Sequence, residues 1–351
     1  MDILLSYTEC KMNQVSVHHV GNQTKEEELV LSKENLDISD ENLKTLLSTF
    51  FLTPFEGIEF YRFTFADGDL SLNPVCKYAA TIFHDQSNFF SKSIDLAKYL
   101  YEVSTHPNIK SGDLFVAYFS NIHVGDQLTD AIGIFKSENK QSFLKLNRED
   151  GGFSVDCDNG ISVEKLDKGC LIFNLEAEEG YKVCIVDKSN RSADARYWRE
   201  DFLGLAPGND NYNTTKEFLG ITKNFITKQV PEEFEITRTD KIDLLNRSMD
   251  YFKTNEAFYK EDFETEVLQD ENLIQSFRSY DETLQRERGR EFGDHFCISD
   301  EAVKKQNRAF RSVIKLDKNF HIYVHGDKTK IEQGIDDDGR KYYKLYYENE
   351  S

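Results

Sequence analysis

Gly112-Asp113-Leu114-Phe115-Val116-Ala117-Tyr118-Phe119 opens the stretch of chain that decides the fold. From here to Val186 the apolar residues come in short segments with a period of two: Leu114 to Phe119, Ala131 to Phe135, Gln141 to Leu146, Gly152 to Val155, Cys170 to Leu175 and Tyr181 to Val186. Turn chemistry separates them, including Asp158-Asn159-Gly160 and Glu178-Glu179-Gly180. The connections are too short to hold crossover helices. The pattern therefore predicts an antiparallel meander and argues against a doubly wound parallel sheet.

Upstream, Val15 to Val20 and Glu28 to Leu31 read as strands around the turn Gly21-Asn22-Gln23. A helix is predicted from Asp40 through Phe51, with Leu43, Leu46, Leu47 and Phe50 three and four residues apart. Ile58 to Phe65 reads as a strand, and residues 72 to 104 as helical. Downstream, Asn190 to Asn213 turns polar, with Gly204, Pro207 and Gly208 as breakers, and marks a domain boundary. Three helices follow, from Thr214 or Thr215, from Asp240, and from Phe263 to Arg288; Phe310 to Leu316, Phe320 to Val324 and Lys341 to Tyr347 then return to strand character. The expected class is α+β: an N-terminal domain over 1–195 with an antiparallel sheet, and a helical region over 196–351 closing with a small antiparallel sheet.

The 351 residues, 27 of them Phe and 17 Tyr, can bury a sizeable core. No run of eighteen apolar residues occurs, so no membrane helix and no membrane partner is expected. Met1 to Tyr7 lacks the basic lead and cleavage site of a signal peptide, which suggests an ordered first segment of a cytoplasmic protein. The six cysteines show no CxxC or other zinc-ligand spacing, and Cys170 and Cys184 sit in apolar runs where a thiol acts as a small hydrophobe.

Taken in order, several blocks carry a resemblance. They are Val15-Ser16-Val17-His18-His19-Val20-Gly21-Asn22, then Leu29-Val30-Leu31-Ser32, and the Gly112-Asp113-Leu114-Phe115-Val116 strand with its partner ending near Phe135. Tyr197-Trp198-Arg199-Glu200-Asp201-Phe202-Leu203-Gly204, the helix start from Asn213 to Phe225 and the strands from Arg311 to Tyr347 complete the set. The ensemble resembles the bacterial nucleoid-associated protein family NdpA over roughly the whole chain. That resemblance implies a two-part α+β fold, a cytoplasmic, nucleoid location and association with DNA, directly or through DNA-handling proteins. It supplies no catalytic centre.

A net charge of −20 opposes contact with a polyphosphate, so the distribution of charge matters more than the total. Between Lys304 and Lys344 eleven basic residues stand against six acidic ones. Lys304, Lys305, Arg308 and Arg311 have helix-like spacing, and with Lys315 they are the candidate DNA-binding residues, suited to phosphate oxygens rather than bases. An ordinary solvated face is the competing reading. Arg286, Arg288 and Arg290 are interleaved with Glu287 and Glu291, which favours pairing on a helix surface.

His321 and His325 share one face of a strand, near Asp336-Asp337-Asp338. Positions four apart on a strand are separated by about 13 Å, too far to grip one ion, so the aspartates read as a turn and no metal or other cofactor is expected. His18 and His19 face opposite ways. No G-x-S-x-G, P-loop, H-E-x-x-H or helix-opening G-x-G-x-x-G occurs. Trp198, the only tryptophan, is expected to pack at the domain junction rather than stack on a base. The reading is of a non-enzymatic nucleoid-associated protein. An acidic scaffold for DNA-handling proteins is the alternative, and a metal-dependent hydrolase ranks last.

Overall fold

The computed structural model of the protein describes residues 5–55, 59–65, 69–149, 151–188, 196–288, 293–310, 313–316, 319–323 and 330–349. It is α+β, and contacts divide it into two compact units, Ile3–Gly208 and Asn209–Ser351.

The first unit contains strands β1 (Leu5–Ser6), β2 (Lys11–Val20) and β3 (Leu29–Leu31), helix α1 (Glu41–Leu52), β4 (Phe60–Phe63), and helices α2 (Pro74–His84) and α3 (Phe89–Val103). Strands β5 (Gly112–Val124), β6 (Gln127–Ser137), β7 (Gln141–Glu149), β8 (Gly152–Gly160), β9 (Lys168–Phe173), β10 (Lys182–Asp187) and β11 (Leu205–Pro207) follow. A nine-stranded sheet runs in the order β11-β4-β10-β9-β6-β5-β2-β3, with β1 pairing with β5. Its pairs are antiparallel; β5 lies against β6 with Phe115 opposite Phe135, and β6 against β9 with Ile134 opposite Cys170.

Residues of alternating parity serve two cores. Leu114, Val116, Tyr118, Ile132, Ile134 and Ile172 pack with Val75, Ile82, Leu96 and Leu100 of α2 and α3. Phe115, Ala117, Phe119, Phe135, Leu171 and Phe173 pack with Phe50 and Phe51 of α1. Both faces are covered, which is why the central strands are almost continuously apolar. Phe51 stacks on Phe135 with ring centroids 4.3 Å apart and planes 8° from parallel.

The sequence reading treats six segments from Leu114 to Val186 as successive strands, and all six form. They do not all join one sheet. β6 pairs directly with β9, and β7 and β8 leave between them as a separate hairpin, Glu149 facing Gly152 across a turn in which Gly151 has φ 96°. The alternating pattern of 141–160 specifies a strand pair but not the partner sheet, because only one of its faces is apolar.

Helix starts follow local chemistry. Asp40 caps α1, its Oδ1 accepting from Asn42 N at 2.8 Å and Leu43 N at 3.2 Å. Asn73 caps α2 by accepting from Cys76 N, while its amide donates to the Leu203 carbonyl at 2.9 Å. That bond fixes α2 to the end of a π-helical turn, Tyr197–Phe202. Trp198 of this turn is fully buried in the core of the first unit. Its indole has no free face to offer a base.

The second unit holds helices α4 (Asn211–Asn224), α5 (Val230–Glu233) and α6 (Arg238–Thr254), strand β12 (Ala257–Tyr259), α7 (Lys260–Phe263), α8 (Glu271–Arg288), β13 (His295–Cys297) and α9 (Asp300–Phe310). Hairpins β14 (Val313–Leu316) with β15 (Phe320–Tyr323), and β16 (Ile331–Ile335) with β17 (Lys341–Leu345), close it. Phe218, Phe252, Phe258, Phe263, Phe277 and Phe296 form the centre of its main core, with Phe218 and Phe258 4.3 Å apart.

Three expectations shift here. α4 starts at Asn211, not Thr214, because Asp210 accepts from Asn213 N at 2.8 Å and takes the capping role. The helix read from Phe263 breaks at Gln269, whose φ is 64°; Asp270 then caps α8. Phe310 ends α9 instead of starting a strand, since it is buried in the helical core with Val303. The pairing of β12 with β13 was not foreseen, three-residue strands being too short to show a period.

Candidate nucleic-acid interface

α9 has the sequence Asp300-Glu301-Ala302-Val303-Lys304-Lys305-Gln306-Asn307-Arg308-Ala309-Phe310. Ser299 precedes it; its Oγ accepts from Ala302 N at 3.4 Å, and its own N–H donates to Thr215 Oγ1 at 3.0 Å, which anchors the helix start to α4. Asp300 and Glu301 in the first turn and Arg308 in the last complement the helix dipole. Ala302, Val303 and Phe310 are buried. Lys304, Lys305 and Arg308 fall within an arc of about 100° on the opposite side, because a helix turns once every 3.6 residues, and all three are exposed.

The three cations differ in their surroundings. Lys305 pairs with Glu301 at 2.8 Å and stands 5.0 Å from the ring centroid of Tyr212. Burial is the largest single influence and opposes its charge, but Glu301 and Tyr212 together outweigh it and hold its pKa above the ordinary value. Lys304 and Arg308 form no ion pair among the described residues. Arg311 lies outside the described residues, so its relation to the helix is not part of the site. Lys315 is in β14 with its Cα opposite His321, on a different element from the other three.

Elsewhere part of the basic surplus is paired with carboxylates. Lys330 pairs with Glu348 at 2.7 Å, Arg340 with Asp338 at 3.7 Å and Lys344 with Glu332 at 3.6 Å. Arg286 pairs with Glu282 one helical turn away. The basic count from Lys304 to Lys344 therefore overstates the charge open to a phosphate.

His321 is exposed in β15, and His325 lies outside the described residues. Asp336 belongs to the turn between β16 and β17, its Oδ1 accepting from Asp338 N and Arg340 N at 3.1 and 2.7 Å. Among the described residues no group of three His, Cys, Asp or Glu side chains is placed to hold a metal ion.

Sequence reasoning missed a cleft of ≈ 450 Å³ in the second unit, lined by Tyr259, Lys260, Glu261, Asp262, Glu264, Arg278, Glu282, Asp294 and His295. Its cations are already engaged: Arg278 grips Glu264 with two bonds, 2.8 and 2.5 Å long, and Lys260 pairs with the buried Asp281 at 2.9 Å. With five carboxylates on its wall the cleft repels phosphate. No local motif announces it, because its residues converge from three separated segments.

An acidic α+β protein with an open cationic helix face is the class defined by fold and site. The sequence matches the nucleoid-associated protein YejK family, also called NdpA, over residues 16–341, and the chain belongs to that family. Comparison with the curated proteins finds no match. Among the described residues no helix is long and apolar enough to cross a membrane.

Proposed function

We propose that the protein is a non-enzymatic component of the bacterial nucleoid that contacts DNA phosphates through α9, with Lys304 and Arg308 as the principal contacts and Lys305 as an auxiliary one. The observation that carries this reading is the open cationic face of α9 on a chain of net charge −20. Membership of a nucleoid-associated family supports the general role. Contact through so few cations positions a protein on the backbone without reading bases, and its affinity is modest and salt-dependent. Beyond about 10 Å in 0.1 M salt the acidic remainder of the chain is screened, which makes the contact tolerable.

The test is retention of the purified chain on an arbitrary duplex across a salt series, beside Lys304→Glu with Arg308→Glu. Binding that weakens with salt and is lost in the double variant supports direct contact. Unchanged binding in the variant sinks the α9 reading. The acidic charge and the pairing of basic groups such as Lys330 and Lys344 favour a second reading, in which the protein docks on basic surfaces of DNA-handling proteins. Absence of DNA binding at low salt would leave that reading ahead.

A further inference from the structure

The β7–β8 hairpin has two unlike faces. Residues opposite one another in an antiparallel pair share a face, so the register Leu144 with Cys157, Leu146 with Val155 and Arg148 with Phe153 places these six on one side. Lys145 with Asp156 and Asn147 with Ser154 lie on the other. On that polar side Asn147 donates to Asp156 at 2.6 Å, and the ring of Phe143 lies across Gly160, where a Cβ would come within 2.9 Å of it. The apolar side has no such cover: Leu144, Leu146, Phe153 and Val155 are 73, 64, 67 and 58% exposed. β7 and β8 pack chiefly on each other. An isolated two-stranded hairpin is marginal in water, and a contiguous exposed apolar face of this kind marks an interaction surface.

We propose that this face is the interface of a homodimer, occupied by the same face of a second copy. Self-matching argues for that occupant. The face carries one charge, Arg148 beside the tip, and its base is formed by Ser142 and Asn159. Two copies packed antiparallel about a two-fold axis set each Arg148 over the partner's uncharged base and each Leu144 row over the partner's Val155 row, so no like charges meet. The four exposed apolar side chains offer about 500 Å² per copy, scaled from the areas of such side chains. Two faces then bury about 1,000 Å², the lower bound of a specific interface.

Sedimentation of the full chain at rising concentration tests this, together with alkylation of Cys157, which is exposed on the same face, against Cys297, exposed on β13 as an internal reference. The expected result is a species of twice 40.8 kDa, with Cys157 but not Cys297 protected as it forms. Leu144→Lys with Val155→Lys should give a monomer, and Asn147→Lys on the polar side should remain dimeric. Circular dichroism checks that the large sheet stays folded, and the thiol readout needs no variant at all. A chain that stays monomeric at every concentration overturns the proposal, even if it captures some other protein. So does a dimer in which Cys157 stays reactive.

Discussion

Lys136 and Lys168 lie opposite one another on β6 and β9 with both side chains buried, and their ammonium groups stand 5.5 and 5.1 Å from the ring centroid of Tyr197. Two like charges side by side in a core persist only where each is compensated. Lys136 donates to the Lys110 carbonyl at 2.6 Å and pairs with Glu138 at 3.1 Å, Lys168 pairs with Asp187 at 3.0 Å, and Tyr197 donates to Glu138. Burial pushes the Lys136 pKa down, and Glu138 opposes that. The network ties the π-helical turn to the strand ends.

Removing Glu138 should therefore cost more than removing the lysine. Glu138→Ala leaves a buried ammonium without its carboxylate and should destabilise by about 3–5 kcal/mol. Lys136→Met leaves Glu138 with the Tyr197 hydroxyl and should cost less. Urea unfolding of the two variants decides the order, and equal losses would show that Glu138 is not the compensating charge.

His18 carries an acid sensitivity. It is buried, Ser32 N donates to its Nδ1 at 3.2 Å, and its Nε2 lies 3.0 Å from Ser93 Oγ, a pattern that fits the neutral ring with the proton on Nε2. Burial lowers its pKa from 6.5 to about 4. Protons then bind the unfolded chain first, so the stabilisation is complete above pH 6.5 and declines as pH falls towards 4. The total at stake is about 3 kcal/mol, of which about 2 should be lost by pH 5. Comparing urea midpoints at pH 7 and pH 5 for wild type and His18→Gln measures it; a variant with the same pH slope would rule His18 out as the source.

Close packing between α1 and the sheet should make Phe135 expensive to truncate. It stacks on Phe51 and meets Phe55, Phe119 and Phe51 in one fully buried group. Phe135→Ala should cost about 3–5 kcal/mol, since rigid aromatic neighbours cannot collapse into the space. A loss below about 1 kcal/mol in calorimetry or urea unfolding would mean that α1 closes the gap.

How far the sequence shows all this depends on the range of the interactions. The strands from Leu114 to Val186 were legible because period two and turn residues act locally, and Asp40 precedes regular helical spacing; the Thr237 cap, three residues before the helix start read at Asp240, was not. The departure of β7–β8 from the sheet was not legible, because pairing β6 with β9 is a choice between distant partners. The breaks at Asp210 and Gln269 turn on one side-chain bond and one positive φ, which hydrophobic spacing does not register. At the candidate interface, the helix spacing of Lys304, Lys305 and Arg308 was readable, and Glu301 stands one turn before Lys305 on the same helix, but the capture of Lys305 by Tyr212 depends on how α9 meets α4.

That capture yields a prediction with an unusual sign. A phosphate contact contributes to DNA affinity by releasing counterions, and a lysine already held by a carboxylate contributes less. Lys305→Ala should thus weaken DNA retention less than Lys304→Ala or Arg308→Ala. Glu301→Ala should strengthen it, since it removes a negative charge from the first turn and frees Lys305, steepening the slope of log affinity against log salt by roughly 0.9. Ordinary surface mutations on an acidic protein rarely raise affinity for a polyanion at one site and not at another. Glu282→Ala, which frees Arg286 on α8 from the same kind of pair, is the matched control and should leave the slope unchanged. If Glu301→Ala and Glu282→Ala raise retention equally, the effect is one of total charge and α9 is not the contact; if only Glu301→Ala does, the phosphate lies on the Lys304–Arg308 face.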